Sequence, residues 1–246
     1  EVASPEAPAP APLGVPGALP APFQGLAGEP AQPYPQGPRG EGATPGPALA
    51  DSRREVARGW RFLGTAHGSY ALFETPQGLV LLDRRAAHER IWYERLKAQF
   101  STGRVDVQRL LLTISIELNP VASAVLGDNL GFLRGHGIEV AEFGRNFFLV
   151  EALPAWMEPG DAEAFIRDLV GALREGRLPV SDMDLARDEL ARMAASKAVR
   201  LPPGTGEAEA LALVRELFGT SSPVSSPSGR PTYVELSRGE LARRFQ

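Results

Sequence analysis

The chain has no cysteine among its 246 residues and no long apolar run. Without cysteine it cannot form disulfides, a thiolate nucleophile or a zinc site with cysteine ligands. No apolar stretch approaches the roughly 18–20 residues that a membrane-spanning helix needs. The first residues also lack a charged segment followed by an apolar one, so we expect no signal peptide and no membrane partner.

An excess of positive charge is absent as well. Lysine and arginine total 26 against 30 acidic residues, which gives a formal net charge of −4. A domain that grips nucleic acid on its own usually needs a basic face, so the balance argues against strong autonomous DNA binding. The chain does contain local basic clusters. We interpret them as solvent-exposed helical faces rather than as DNA contacts. They comprise Arg84, Arg85, Arg90, Arg243 and Arg244.

The first fifth of the chain is rich in proline, alanine and glycine. Thirteen of the 23 prolines fall within residues 1–50, where charges and large apolar residues are few. Such a composition cannot bury enough apolar surface to offset the entropy of ordering. We therefore predict a disordered linker over residues 1–55, with a Pro-rich recognition motif as the weaker alternative. A chain that opens in this way is expected to be part of a longer protein.

The chain is organised around the segment Tyr70–Leu96, which predicts a strand, a tight turn, a second strand and an amphipathic helix. Thr75–Gly78 supplies the turn, with proline at its second position. Leu79–Leu82 is a continuous apolar run, typical of a strand that is covered on both faces. Asp83 stands where a helix N-cap is expected.

The remaining pattern predicts a mixed α+β domain of two small subdomains over residues 56–246, with about 116–182 as an external subdomain. Asn119 begins a helix that we expect to run to about Arg134, and Ser237 with Glu240 forms a capping box. The other predicted strands span about 60–63, 105–118, 138–143, 146–151 and 232–236, and the other helices span about 161–176, 182–200 and 207–218.

Four segments together resemble the C-terminal domain of the MutL family of DNA mismatch-repair proteins. Asp83–Glu94 is similar to the family motif Asp-Gln-His-Ala-x-x-Glu-x4-Glu, with arginine replacing both glutamine and histidine. Leu63–Tyr70 resembles Leu-Gly-Gln-x4-Tyr, and Ser226–Thr232 resembles Cys-Pro-His-Gly-Arg-Pro-Thr. The helix end around Ser196 is similar to the family's Ala-Cys segment. The four occur in the family's order, which makes the resemblance specific.

The resemblance also implies where a metal site would lie. In members that nick DNA, the ligand positions correspond here to Arg85, Glu89, Ser196, Ser226 and Ser228. Of these only Glu89 is a competent ligand, because a guanidinium repels divalent ions and serine is a poor ligand beside thiolate or imidazole. We therefore expect a degenerate site with no metal, in which Arg85 pairs with Glu89 at helical i,i+4 spacing.

An alternative is a metal-dependent DNA-nicking endonuclease that retains activity through Asp83, Glu89 and Glu94. Three carboxylates can hold a hard divalent ion. However, the five-residue step from Glu89 to Glu94 turns their side chains apart on a helix. Asp83 is also better explained as an N-cap, so we place this alternative second.

Gln108, Leu110 and Leu111 form a candidate binding motif. Together they resemble the Gln-x-hydrophobic-Leu-x-Pro segment through which MutL proteins contact the replicative sliding clamp, although Thr113 replaces the proline. A leucine-rich core strand gives the same letters, so that interpretation stays open. The clamp interpretation requires Gln108 to be exposed.

The function implied by the resemblance is homodimerisation within DNA mismatch repair. Two copies would join a pair of ATPase arms, and ATP and Mg would serve only that N-terminal region, with no cofactor in this segment. The implied partners are a second copy, a MutS-type mismatch sensor, the sliding clamp, a helicase, and DNA through the full-length protein in the cytoplasm. A stand-alone adaptor domain unrelated to repair is the remaining alternative.

Overall fold

A computed structural model describes residues 59–202 and 204–246, which all belong to one compact unit. The predicted linker over residues 1–55 lies outside the described residues. The described part contains seven α-helices and two antiparallel sheets, so the prediction of a mixed α+β fold is confirmed. Within it, no helix is both long and apolar enough to cross a membrane.

The first sheet has four strands in the order β1-β2-β3-β7. Strand β1 covers Arg61–Ala66, β2 Tyr70–Glu74, β3 Gly78–Asp83 and β7 Tyr233–Ser237. The β2–β3 turn closes through paired hydrogen bonds between Thr75 and Gly78. Val80 and Leu82 are buried, whereas Leu81 is 39% exposed. The expectation that β3 is covered on both faces is therefore wrong within this chain, because only its inner face packs against helices.

Helix α1, Arg84–Thr102, begins directly where β3 ends. Asp83 caps it as predicted, because its Oδ1 accepts a hydrogen bond from the Ala86 backbone N–H at 3.0 Å. Gly103 ends the helix in the left-handed conformation, with φ of 66°. That backbone conformation is unfavourable for residues with a Cβ, which explains the glycine at this position.

The second sheet has three strands in the order β4-β6-β5. Strand β4 covers Val107–Glu117, β5 Glu139–Glu142 and β6 Phe147–Pro154. The helix predicted from Asn119 to Arg134 is instead two helices, α2 at Pro120–Asp128 and α3 at Leu130–Gly135. The helix is interrupted at Asn129. The Asn129 side-chain amide donates a hydrogen bond to the Val125 carbonyl at 2.8 Å, and this bond competes with the backbone hydrogen bonds that would continue the helix.

The remaining helices complete two apolar cores. Helix α4 spans Ala162–Arg174, α5 Met183–Ala198, α6 Glu207–Phe218 and α7 Arg238–Arg244. One core joins α1, α4 and α5 to the second sheet, and the other joins α1 and α6 to the inner face of the first sheet. Helix α1 contributes to both cores, so the boundary proposed for an external subdomain at about 116–182 stays a prediction.

Candidate functional site

Glu89 lies at the centre of the candidate site, on the first half of α1. Its side chain is 7% exposed, and both of its carboxylate oxygens accept hydrogen bonds from arginine. Arg85 Nε donates to Oε1 at 3.2 Å, and Arg230 Nη2 donates to Oε2 at 2.7 Å. Arg85 thus pairs with Glu89 at the spacing that the sequence indicated, and Arg230 is a second partner from 141 residues away.

The other positions expected at the site are gathered around this pair. Arg85 Nη2 donates to the Ser196 carbonyl at 3.4 Å, while the Ser196 hydroxyl donates to Met193 O on its own helix at 2.8 Å. Ser226 is buried, and its hydroxyl lies 2.9 Å from that of Ser228. The structure therefore brings together residues from α1, α5 and the segment that precedes β7.

A turn over Ser226–Arg230 carries the two serines and Arg230. Ser226 N–H donates to the Arg230 carbonyl at 2.7 Å, and Gly229 adopts a φ of 82° that favours glycine. Arg90 ties the turn to α1, because its Nε donates to the Ser225 carbonyl at 2.6 Å. Burial lowers the pKa of the Arg90 guanidinium, and the neighbouring Glu94 raises it again.

A cavity of about 300 Å³ opens beside Glu89 and beneath this turn. It is lined by Glu89, Arg192, Ala195, Ser196, Pro227, Ser228 and Arg230. Arg192 is held on α5 by Glu189 at 2.7 Å and Asp188 at 3.0 Å. The cavity thus combines one covered carboxylate with two guanidinium groups and two serines.

Asp83, Glu89 and Glu94 do not converge on one point. Asp83 caps α1, and Glu94 forms an ion pair with Arg90 at 3.6 Å and accepts a hydrogen bond from the Ser221 hydroxyl. Among the residues that the structure describes, no group of three or more histidine or acidic side chains is arranged to hold a metal ion. The three carboxylates of the endonuclease alternative therefore have separate local partners.

The outer face of the first sheet carries an exposed apolar row. Cross-strand pairing joins Leu72 to Leu81 and Leu81 to Val234, which places these three side chains on one face. Leu81 is 39% exposed and Val234 45%. Leu63, at a bulge in β1, is also 45% exposed. The paired row thus crosses β2, β3 and β7, and β1 adds an exposed leucine at its bulge.

The candidate clamp motif lies at a large bulge in β4. Between Arg109 and Ile114 on β4, the partner strand advances only from Ala152 to Val150, so the intervening residues protrude. Leu111 and Leu112 are 103% and 85% exposed, while Leu110 packs against the core.

Gln108 is partly buried rather than fully presented to solvent. Its side-chain amide donates to the Pro154 carbonyl at 3.2 Å and to the Met157 carbonyl at 2.6 Å. The exposed Gln108 that the clamp interpretation requires is therefore not found, although Leu111 is exposed. The clamp contact itself stays a prediction.

Comparison with known proteins identifies the family. Residues 63–201 match the family described as the MutL C terminal dimerisation domain. A DNA mismatch repair protein MutL from Opitutus terrae is 59% identical over 217 residues, which cover 88% of this chain and 34% of the relative. The chain belongs to the MutL C-terminal domain family.

Two further MutL proteins support this membership. Those of Symbiobacterium thermophilum and Akkermansia muciniphila are 35% and 34% identical, over 197 and 196 residues. Each alignment covers 78% of this chain, and 31% and 30% of the respective relative. The chain therefore spans about a third of the length of the MutL proteins that it matches.

The donor set of this MutL C-terminal domain does not fit the metal site of nicking members. The one carboxylate, Glu89, is occupied by two guanidinium groups, and the remaining positions offer serine hydroxyls. Zinc and manganese prefer imidazole, thiolate and free carboxylate ligands. The residues present therefore do not form a site suited to either ion.

Two residues of this site were not assigned a role from the sequence. Arg230 stands within the Ser226–Thr232 segment that carries the MutL resemblance, but nothing local indicates that it reaches Glu89. Arg192 precedes Ser196 by four residues on α5 and therefore shares its helical face. That spacing was the only available signal for Arg192.

Proposed function

We propose that this chain is the homodimerisation module of a DNA mismatch-repair protein, and that two copies pair through the outer face of the β1-β2-β3-β7 sheet. The observation that carries the proposal is the apolar row of Leu72, Leu81 and Val234 across β2, β3 and β7, of which Leu81 and Val234 are exposed. Contiguous exposed apolar surface on a folded domain usually marks a protein–protein contact. The family's description as a dimerisation domain supports a second copy as the occupant.

Strand β3 gives the clearest argument. Its four consecutive apolar residues, Leu79–Leu82, have the composition of a strand covered on both faces. This chain buries Val80 and Leu82 on the inner face and leaves Leu81 exposed on the outer face. A second copy supplies the missing cover without requiring any other partner.

The edge of the row has the polar character expected of an interface rim. Arg61 on β1 forms an ion pair with Glu74 on β2, and both side chains are substantially exposed. An apolar centre with a charged edge is the usual arrangement of a protein–protein interface. The outer sheet face therefore matches such an interface in composition as well as in exposure.

Joining two copies gives the module a mechanical role in repair. In this proposal each copy carries an N-terminal ATPase arm that uses ATP and Mg, and the paired domains keep the arms at an effective concentration in about the mM range. A MutS-type mismatch sensor, a helicase and DNA act through the full-length protein in the cytoplasm. The names of the relatives, all DNA mismatch repair proteins, support this assignment.

The sliding clamp is the proposed partner of the β4 bulge. Leu111 and Leu112 present adjacent apolar side chains that are exposed almost completely. Two adjacent exposed apolar side chains that this chain does not cover suit a contact with an apolar surface of a partner. In this proposal Gln108 holds the base of the bulge by its hydrogen bonds to Pro154 and Met157.

The dimer proposal is tested with Leu81→Glu and sedimentation velocity over a range of concentrations. Leu81 is exposed in the single copy, so the substitution leaves the core unchanged but buries a charge in the dimer. We expect the parent chain to sediment as a dimer and the variant to dissociate at least about tenfold more readily.

Leu111→Glu is the matched control, because it places the same charge on an exposed leucine outside the proposed interface. We expect it to sediment like the parent chain. A monomeric parent at micromolar concentration, or equal effects of the two substitutions, contradicts the proposed interface.

A further inference from the structure

The cavity beside Glu89 carries more positive than negative charge. Two guanidinium groups, Arg85 and Arg230, share the single carboxylate of Glu89, which leaves one formal positive charge in this group. Arg192 lines the same cavity. Since a partly buried excess charge is costly without a counter-ion, the cavity is electrostatically suited to an anion.

Arg192 has acidic partners of its own on α5. Glu189 and Asp188 bind it, while Glu189 also lies 3.7 Å from Arg177 and Asp188 lies 2.7 Å from Lys97. Arg177 in turn pairs with Glu175 at 2.7 Å, so three carboxylates balance three cations in this network. The unbalanced positive charge beside the cavity is therefore that of the group formed by Arg85, Glu89 and Arg230.

The cationic groups are also accessible while the carboxylate is not. The side chain of Glu89 is 7% exposed, whereas those of Arg85 and Arg230 are each 51% exposed and that of Arg192 is 44% exposed. Among the described residues, no hydrogen bond engages Nη1 of Arg85 or of Arg230. An incoming anion thus meets guanidinium N–H groups before it meets the carboxylate.

We propose that this cavity binds an oxyanion of the phosphate class. Arg230 and Arg192 would contact it directly, Arg85 would add charge from the side, and the Ser228 hydroxyl would donate a hydrogen bond. Guanidinium groups match phosphate oxygens in both charge and planar geometry. A volume of about 300 Å³ leaves room for a phosphoryl group.

In this proposal Glu89 is a counter-charge to the arginines and does not contact the anion. Its two oxygens accept hydrogen bonds from Arg85 and Arg230 and offset one of their two positive charges. The positions at which the sequence resemblance implies metal ligands would thus hold an anion here. The ligand is either free phosphate or a backbone phosphodiester of DNA, and the DNA source rests on the proposed repair function.

Calorimetric titration of the full chain with inorganic phosphate, at constant ionic strength, tests the site. We expect Arg230→Gln to weaken phosphate binding by about tenfold, since it removes a charge-assisted hydrogen bond. Arg192→Gln should act in the same direction, and it leaves both partners of Glu89 in place. Arg145→Gln, in the exposed loop between β5 and β6, is the matched control and should bind phosphate like the parent chain.

Glu89→Gln gives a prediction of opposite sign. The amide still accepts a hydrogen bond, but the local excess of positive charge rises, so phosphate should bind more tightly than to the parent chain. Absence of phosphate binding by the parent, equal effects of Arg230→Gln and Arg145→Gln, or weaker binding by Glu89→Gln each overturns the proposal.

Duplex DNA separates the two sources of the anion. If a DNA phosphate occupies the cavity, Arg230→Gln should reduce the slope of log affinity against log salt by about one. If Arg230→Gln loses phosphate binding but keeps the parent's slope of log DNA affinity against log salt, the ligand of the cavity is the free oxyanion. The cavity residues do not belong to the outer sheet face, so Arg230→Gln should sediment as a dimer like the parent chain. Sedimentation of this variant therefore separates a failure of the phosphate site from a failure of the dimer proposal.

Discussion

Single residues decide the character of the site through their charge. Glu89 has ordinary ligand chemistry, but Arg85 and Arg230 occupy both of its oxygens. The serines at 226 and 228 bond to each other, and the Arg230 backbone N–H donates to the Ser226 hydroxyl at 3.2 Å. These residues therefore form one connected set of hydrogen bonds among arginine, glutamate and serine.

A buried histidine outside the site gives a test at the same scale. His136 is 3% exposed, its Nδ1 lies 2.7 Å from the Phe132 carbonyl, and its ring contacts Phe100 and Phe132. Burial lowers the pKa of His136 below its ordinary value of 6.5. The unfolded chain therefore binds this proton more readily, and stability present above pH 6.5 is lost as the pH falls toward the folded pKa.

We expect the free energy of unfolding to decrease as the pH is lowered from about 7.5 to 5.5, as measured by urea denaturation. His136→Gln should flatten that dependence, because its amide can donate to the Phe132 carbonyl and does not titrate. His67→Gln, at an exposed turn, is the control and should retain the dependence of the parent chain. An equally steep profile for His136→Gln contradicts the assignment to this imidazole.

At the scale of elements, local signals predicted where helices α1 and α7 begin. Asp83 and the Ser237–Glu240 capping box act within a few residues of their own positions. The contact between Arg230 and Glu89 spans 141 residues, so no local pattern could indicate it. The sequence did not predict the β4 bulge either. A run of leucines is compatible with both a regular strand and a bulge, and the register of β4 is set by its pairing with β6.

The two exposed leucines of the β4 bulge give a prediction for clamp binding. Replacing Leu111 and Leu112 together by alanine should abolish sliding-clamp binding, measured by surface plasmon resonance, with little change in thermal stability because both side chains are exposed. Leu185→Ala removes an exposed leucine from α5 and should bind the clamp normally. Unchanged clamp affinity in the double variant contradicts the proposed contact.

At the scale of the described domain, helix α1 contributes side chains to both apolar cores, and each core packs against one of the two sheets. Helix α1 packs against α5 and α6, and it carries Glu89, which lines the cavity together with residues of α5. The first sheet buries its inner face and exposes apolar residues on its outer face. Sequence alone indicated that β3 needs cover on both faces, and the structure shows which face this chain leaves open.

The absence of cysteine permits a direct measurement of that open face. Val234→Cys introduces the only thiol in the chain, at a position 45% exposed in the single copy, and Leu112→Cys introduces one on the bulge. Thiol modification rates are then followed over about three decades of protein concentration. We predict that the Val234→Cys thiol becomes protected as concentration rises while the Leu112→Cys thiol does not. A Val234→Cys thiol that reacts equally fast at every concentration would contradict pairing through this face.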